Sequence, residues 1–275
     1  MKKILIQYFS GTGNSLYVCE NISEYFSSKN YSVKIECIVN EAVSYCIEDV
    51  ECFGIVFPVY ALDMPRIIRK HLKLLKPQQK ISAFAIATMG APDEEGWSLE
   101  NAVKLLQKKN FDVKWTEAVV MPINWVAFSD PPEMTEAEQI ILKSKASIMG
   151  IIKSIAENRI SRKHFVMPRY GRLNSVMMYY GFKFGCKYLW KGFKTTDNCI
   201  LCGKCINLCP VNAIQLKKKK IIWTDKCEQC MRCMNICPER AIIQYDVIGK
   251  GSKKNRYIFP EFIPEKIQKY EKSTY

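Results

Sequence analysis

Short apolar runs alternate with amphipathic stretches along residues 1–160. Lys3–Phe9 reads as a buried strand, and Leu16, Cys19, Ile22 and Phe26 then recur at helical spacing. Tyr31–Val39 alternates like a second strand, Cys52–Phe57 reads as a third, and Ile67, Ile68, Leu72 and Leu75 mark a further helix. Ile81–Ala87 is a fourth strand, residues 99–109 are helical, and Val113–Met121 is a fifth strand. Asp130-Pro131-Pro132 breaks the chain before Thr135-Glu136-Ala137-Glu138, which has the form of a capping box. The helix expected behind it runs to about Glu157, with Ala137, Ile140, Ile141, Ile148, Ile151, Ile152 and Ile155 turned inward. Five strands alternating with helices predict an α/β fold with a parallel, doubly wound sheet, whose ligands sit beyond the carboxyl ends of the strands.

Three loops fall at that edge. The first, Ser10-Gly11-Thr12-Gly13-Asn14-Ser15, joins strand one to its helix. A glycine-bearing, hydroxyl-rich loop that opens a helix is an anion site, because backbone N–H groups and the helix N-terminus point at one oxyanion. No lysine stands in it, and neither the P-loop nor the dinucleotide fingerprint is present. An ordinary Gly–Ser turn is the bland alternative. The loops after strands three (Pro58 to Pro65) and four (Thr88 to Pro92) reach the same edge, and the convergence of all three points to a ligand.

Tyr8, Ser10, Gly13 and Ser15 resemble the phosphate-loop signature of flavodoxins, with Ser15 where a threonine is usual and Cys19 where an alanine is usual. The resemblance implies FMN and a five-stranded sheet of order 2-1-3-4-5. It places Ser10, Gly11, Thr12, Gly13, Asn14 and Ser15 around the phosphate, and Pro58, Tyr60, Ala61, Thr88, Met89, Gly90 and Ala91 beside the isoalloxazine ring. Tyr60 is the candidate for stacking on the ring, against the alternative of a core tyrosine capping the sheet. Gly90 is the candidate for a peptide that rotates beside flavin N5. Trp97 and Trp125 are candidates either for ring contacts or for ordinary packing.

The second half of the chain is dominated by cysteine. Cys199, Cys202, Cys205, Cys209 and Pro210 form a C-x2-C-x2-C-x3-C-P run, and Cys227, Cys230, Cys233, Cys237 and Pro238 repeat it 28 residues later. The repeats resemble a bacterial-type ferredoxin with two [4Fe–4S] clusters, in which the fourth cysteine of each run ligates the other run's cluster. That resemblance assigns Cys199, Cys202, Cys205 and Cys237 to one cluster and Cys227, Cys230, Cys233 and Cys209 to the other. Disulfides and zinc are the competing uses of such cysteines, but two full copies of this spacing are more specific than either. Four cysteines per cluster leave no iron open to substrate, so the clusters are expected to carry electrons. Cys19, Cys37, Cys46, Cys52 and Cys186 have no pairing pattern. That scatter, together with no secretory signal and no apolar run of membrane-spanning length, predicts a soluble, cytoplasmic protein.

Between the halves, residues 159–194 carry Arg159, Arg162, Lys163, Arg169, Arg172, Lys183, Lys187, Lys191 and Lys194 without an Asp or Glu. Leu173, Met177, Tyr180, Phe184 and Tyr188 recur there at helical spacing. The favoured expectation is a connector whose aromatic side packs between the domains; a basic amphipathic helix touching an anionic membrane surface or an acidic partner is the alternative. Ala213–Leu216 and Ile221–Thr224 flank Lys217–Lys220 as a hairpin with a charged tip, and Ala241–Tyr245 mirrors the strand after the first run. In the tail from Lys250, Tyr257, Phe259 and Phe262 suggest that it packs back, on a surface the sequence does not identify.

The formal charge of +14 suggests an anionic partner. Each oxidised cluster with its thiolates contributes about −2 and an FMN phosphate about −2, leaving roughly +8. The expected organisation is thus a flavodoxin-like FMN domain over 1–160, a basic connector over 161–195, a small α+β two-cluster ferredoxin domain over 196–246 and a tail over 247–275. The whole chain resembles a flavodoxin–ferredoxin fusion protein. The implied function is electron transfer between two [4Fe–4S] clusters and FMN, with no general acid or base and with a redox protein, such as an acidic ferredoxin or flavodoxin, as partner. The alternatives are a flavin-dependent reductase fed by a nicotinamide and a redox-sensing or nucleic-acid-binding protein, although nucleic acid is not expected.

Overall fold

The computed structural model describes residues 1–39, 45–126, 129–163, 171–185, 188–244 and 255–263. The apolar runs become the parallel strands β1 (Lys3–Tyr8), β2 (Ser32–Cys37), β3 (Cys52–Pro58), β4 (Ile81–Met89) and β5 (Phe111–Val120). The amphipathic stretches become helices α1 (Asn14–Ser27), α2 (Arg66–Leu74) and α3 (Ser98–Lys108). Strand order is β2-β1-β3-β4-β5, the flavodoxin-like order expected, with a sixth strand β6 (Ser161–Arg162) parallel to β5 at the edge.

That sixth strand departs from the five expected. Two polar residues carry no apolar signal, and pairing to Trp115 and Thr116 holds them instead. Trp115 Nε1 donates to the Arg159 carbonyl at 3.0 Å, and the Lys163 amide donates to Thr116 Oγ1 at 2.7 Å. Leu75, expected in α2, instead begins a short segment, Leu75–Pro77, parallel to Tyr45–Ile47.

Helices cover both faces of the sheet, so the central strands are apolar on both sides. Ile4, Ile6, Tyr8, Val56, Phe84 and Ile86 pack with α1 and with helix α4 (Met134–Ala156), whereas Phe53, Ile55, Phe57, Ala83 and Ala85 pack with α2 and α3. The capping box expected at Thr135 does not form. Helix α4 begins two residues earlier, behind Glu133, with no side-chain cap, and Thr135 lies inside its first turn. Ala137, Ile148, Ile151, Ile152 and Ile155 are buried, while Ile140 and Ile141 are half-buried.

The basic stretch forms helix α5 (Gly171–Gly185), but the apolar face expected to pack is turned to solvent. Leu173, Met177, Tyr180, Phe184 and Tyr188 are all exposed. Ser175 is the buried position; Tyr179 meets Trp97 edge to face at 5.3 Å and Phe182 meets Trp125 likewise at 5.7 Å. Arg169, Cys186 and Lys187 lie outside the described residues, as do Tyr245 and the ends of the tail.

A compact C-terminal unit follows. Strand β7 (Phe193–Thr195) pairs antiparallel with β10 (Ile242–Gln244), and the hairpin of β8 (Ile214–Lys217) and β9 (Lys220–Trp223) lies between two one-turn helices, α6 (Lys204–Asn207) and α7 (Arg232–Ile236). Its small core stacks Phe193 on Trp223 at 5.3 Å, with Ile214, Met234 and Ile242 around them. Among the described residues no helix is long and apolar enough to cross a membrane.

Candidate functional site

At the carboxyl edge of β1, β3 and β4 lies a cavity of about 370 Å³, within the range of cofactor sites. Twelve of the thirteen residues expected around the flavin line it: Ser10, Gly11, Thr12, Asn14, Ser15, Pro58, Tyr60, Ala61, Thr88, Met89, Gly90 and Ala91. Gly13 is the exception. Its φ of +109° is left-handed, and a Cβ there would meet Phe259 at 2.6 Å and Phe262 at 2.8 Å. Gly13 shapes the turn, its N–H donating to Ser10 Oγ at 3.0 Å and its carbonyl accepting from Tyr17 at the start of α1.

The loop is fixed from several sides. Ser15 Oγ and Thr88 Oγ1 lie 2.9 Å apart, tying the first loop to the end of β4. Asn124 Nδ2 donates to Thr12 Oγ1 at 2.9 Å, and Asn14 Nδ2 donates to the Pro122 carbonyl at 2.9 Å. The C-terminal tail closes the far side: the Phe259 amide donates to Thr12 O, Tyr257 Oη donates to Asn14 Oδ1 at 2.8 Å, and Phe259 stacks on Tyr17 at 4.6 Å. The first-turn N–H groups of α1 have no intrahelical acceptor, so they and the Ser15 and Thr12 hydroxyls form a donor set for an oxyanion.

A tight turn positions the second loop. Tyr60 and Asp63 exchange backbone hydrogen bonds at 2.8 and 3.1 Å, while Ala61 and Leu62 between them take φ of 46° and 66°. Asp63 is held by Arg69 and by Asn101 Nδ2 at 3.0 Å. The Tyr60 ring meets Phe9 edge to face at 6.5 Å, and its buried hydroxyl has no hydrogen-bond partner among the described residues. Burial, and after it the neighbouring Cys230, pushes the Tyr60 phenol pKa well up, so it stays a donor. An unpaired donor in a cofactor-sized cavity fits a bound acceptor. Beside the third loop, a Cβ on Gly90 would lie 3.3 Å from Ile123. Met178 and Phe182 of α5 also line the cavity, along with Trp125; Trp97 does not.

The cysteines surround two further openings. One is lined by Cys199, Cys202, Cys205 and Cys237, and the other by Cys209, Cys227, Cys230 and Cys233. The structure thus brings together the two crossed sets that the ferredoxin resemblance implies. Among the described residues no three His, Cys, Asp or Glu side chains converge as they do on a single ion. Burial pushes the Cys230 thiol up to about 11, with Arg232 working against it, and burial likewise pushes Cys205 up to about 11.

The second cysteine run, not the first, is built into the α/β layer. Arg232, 2% exposed, donates to Ser10 O at 2.6 Å, Gly11 O at 2.9 Å and Leu208 O at 3.0 Å. Glu228 accepts from the Ile67 amide at the start of α2 at 3.2 Å and faces Arg66 at 3.4 Å, while Arg66 also donates to Cys227 O at 2.6 Å. Burial raises the Glu228 pKa, and Arg66 opposes it. Asn235 Nδ2 donates to Asn124 O at 3.0 Å, and its Oδ1 accepts from the Tyr257 amide. A Cβ on Gly11 would lie 2.6 Å from the Cys230 carbonyl, so only glycine allows this approach. Gln229 reaches the 370 Å³ cavity itself.

Arg232, Glu228, Asn124, Met178 and Phe182 were not singled out from sequence. A signal existed for the first two: the residues 28 positions earlier are Lys204 and Ile200, so the repeat differs where the second run docks.

The 4Fe-4S dicluster domain family matches residues 198–245. No curated protein matches the chain. Among solved structures, flavodoxin 1 from Bacillus cereus is 12% identical, with 54% of this chain and 98% of that chain covered at a TM-score of 0.37. A short-chain flavodoxin associated with a PDU bacterial microcompartment is 11% identical, covering 56% and 99% at 0.39. A flavodoxin from the domain Archaea is 13% identical, covering 56% and 99% at 0.35. By its own strand order and by its cysteine repeat, the chain joins a flavodoxin-like α/β layer to a 4Fe-4S dicluster domain.

Proposed function

We propose that the chain is an electron-transfer iron–sulfur flavoprotein. FMN occupies the cavity beyond β1, β3 and β4, and two [4Fe–4S] clusters occupy the cysteine-lined openings. One observation carries the reading: the second cysteine run supplies part of the flavin cavity's wall, since Gln229 lines that cavity and Cys230 beside it lines the second cysteine opening.

In this reading Ser10, Thr12 and Ser15 give hydroxyls, and the amides of Gly11, Thr12, Asn14 and Ser15 give N–H donors, to the FMN phosphate, while the Gly13 amide stays on Ser10 Oγ. Arg232 lies behind the loop and offsets the phosphate charge through the carbonyls it binds. Pro58, Tyr60, Ala61, Thr88, Met89, Gly90 and Ala91 bound the ring, with Met178 and Phe182 of α5 lining the same cavity. Cys199, Cys202, Cys205 and Cys237 ligate the first cluster, and Cys227, Cys230, Cys233 and Cys209 the second. Bound clusters exchange single electrons and bound flavin one or two, so the three together link one- and two-electron chemistry. The chain's own contribution is placement, in the order flavin, second cluster, first cluster.

A nicotinamide-fed reductase needs room for a second ring in the same cavity, which Met178 and Phe182 also line. Anaerobic purification with metal, sulfide and flavin counts tests the reading. It expects about eight iron and eight sulfide per chain and one FMN; a protein holding zinc, or no flavin after loading, contradicts it. Flavin bleaching on mixing with NADH or NADPH at catalytic rates would favour the reductase.

A further inference from the structure

The two cysteine runs are related by sequence, yet among the described residues only one has its docking surface filled. In the second run, Glu228, Gln229, Cys230 and Arg232 face the α/β layer, and Arg232 and Gln229 are 2% exposed. The residues 28 positions earlier are Ile200, Leu201, Cys202 and Lys204. These face solvent: Ile200 is 63% exposed, Leu201 44%, and Cys202 and Lys204 are exposed. The duplication therefore presents the same surface twice, once against the chain's own flavin layer and once outward.

Composition separates the two copies. The internal surface is polar and makes buried hydrogen bonds; the outward one is an apolar pair beside a cysteine, flanked by cations. Lys204 opens α6, and β9 leads from the tip Lys217–Lys220 directly to Ile221, which lines the first cysteine opening. All four tip lysines are exposed, as are Lys194 and Arg240. Asp197 and Glu239 are the acids nearby in sequence, so the cations outnumber them. An apolar centre with a rim of one charge is the form of a transient protein interface.

We infer that the Ile200–Lys204 surface is the docking site for an acidic one-electron carrier protein, such as a small ferredoxin, which exchanges electrons with the first cluster. This rests on the proposed electron-transfer function and adds its external port. The step moves one electron between the carrier's centre and the first cluster, one being oxidised as the other is reduced, with no bond made or broken.

The test uses the protein loaded with both clusters and FMN, an acidic two-cluster ferredoxin as probe, and methyl viologen as a small reductant of opposite charge. The bimolecular electron-exchange rate with ferredoxin is measured at low and high salt for the wild type, for K217E/K219E and for I200E. The hairpin-tip pair lies apart from the cysteines and keeps the clusters; I200E is read only after its iron content matches the wild type. The inference expects a salt-sensitive rate that falls at least tenfold in both variants, while flavin reduction through viologen is unchanged in K217E/K219E. A ferredoxin rate that is absent in the wild type, or equal in wild type and variants, overturns the docking site. Failure of viologen-reduced clusters to reduce the flavin overturns the proposed function instead.

Discussion

The guanidinium of Arg232 donates to the carbonyl oxygen of Gly11 at 2.9 Å, joining positions 221 residues apart. It also binds Ser10 O and Leu208 O, so one side chain ties the loop between β1 and α1 to both cysteine runs. Replacing it with methionine leaves three carbonyls short of a donor within the interface. Losing a buried, hydrogen-bonded charge of this kind costs roughly 3 kcal/mol. R232M should therefore lower the denaturation midpoint and release FMN during gel filtration, while R232K restores part of both. Flavin content and urea unfolding measure the two effects.

Ser15 meets Thr88 at 2.9 Å at the mouth of α1, where the phosphate is expected. Removing its hydroxyl should weaken FMN by about tenfold, equivalent to about 1.4 kcal/mol. Riboflavin, which lacks the phosphate, should bind S15A and wild type equally. Flavin fluorescence titrations with both ligands give the ratio, and equal weakening of the two would place the phosphate elsewhere.

Gly13 combines a left-handed backbone with the close approach of Phe259 and Phe262. G13A should cost at least about 1–2 kcal/mol from backbone strain alone, with displacement of the tail added. Limited proteolysis should then cut residues 255–263 faster than in the wild type. A deletion of the tail that leaves FMN affinity intact would show that its packing on the loop has no bearing on the site.

His71 lies in a buried chain: its Nε2 meets Gln7 Oε1 at 2.7 Å, and Gln7 Nε2 donates to Glu36 at 2.9 Å. Burial lowers the imidazole pKa to about 4 from an ordinary 6.5, with Glu36 opposing the shift. The unfolded chain thus holds the proton more tightly between those values, and stability falls as pH drops through that window. From pH 7 to 5 the loss from this group is about 2 kcal/mol. Denaturation midpoints for wild type and H71Q should differ in slope over that range, the variant being flatter.

The main sheet was legible because β1, β3 and β4 are apolar on both faces, and the cavity's position because three loops share one sheet edge, with the flavodoxin resemblance naming the residues. β6 was not, since Ser161 and Arg162 are held by partners on β5 and carry no pattern of their own. The stripe of Leu173, Met177, Tyr180 and Phe184 has helical spacing, but spacing alone does not say which face packs: Ser175, Tyr179 and Phe182 turn inward instead. Arg232 was hidden for a related reason. Its partners are backbone carbonyls of a loop far away in sequence, and a carbonyl leaves no mark on the residue type that offers it.

The placement of the second cluster between flavin and first cluster is tested most directly by following electrons in a single turnover. Fully loaded protein and a C233S variant that retains FMN and the first cluster are each mixed anaerobically with a reduced ferredoxin, too large to enter the cavity behind Met178 and Phe182. The account predicts that in the wild type the flavin absorbance falls after the clusters bleach, whereas in C233S the first cluster bleaches and the flavin stays oxidised on that time scale. Flavin reduction at the same rate in both proteins would contradict it.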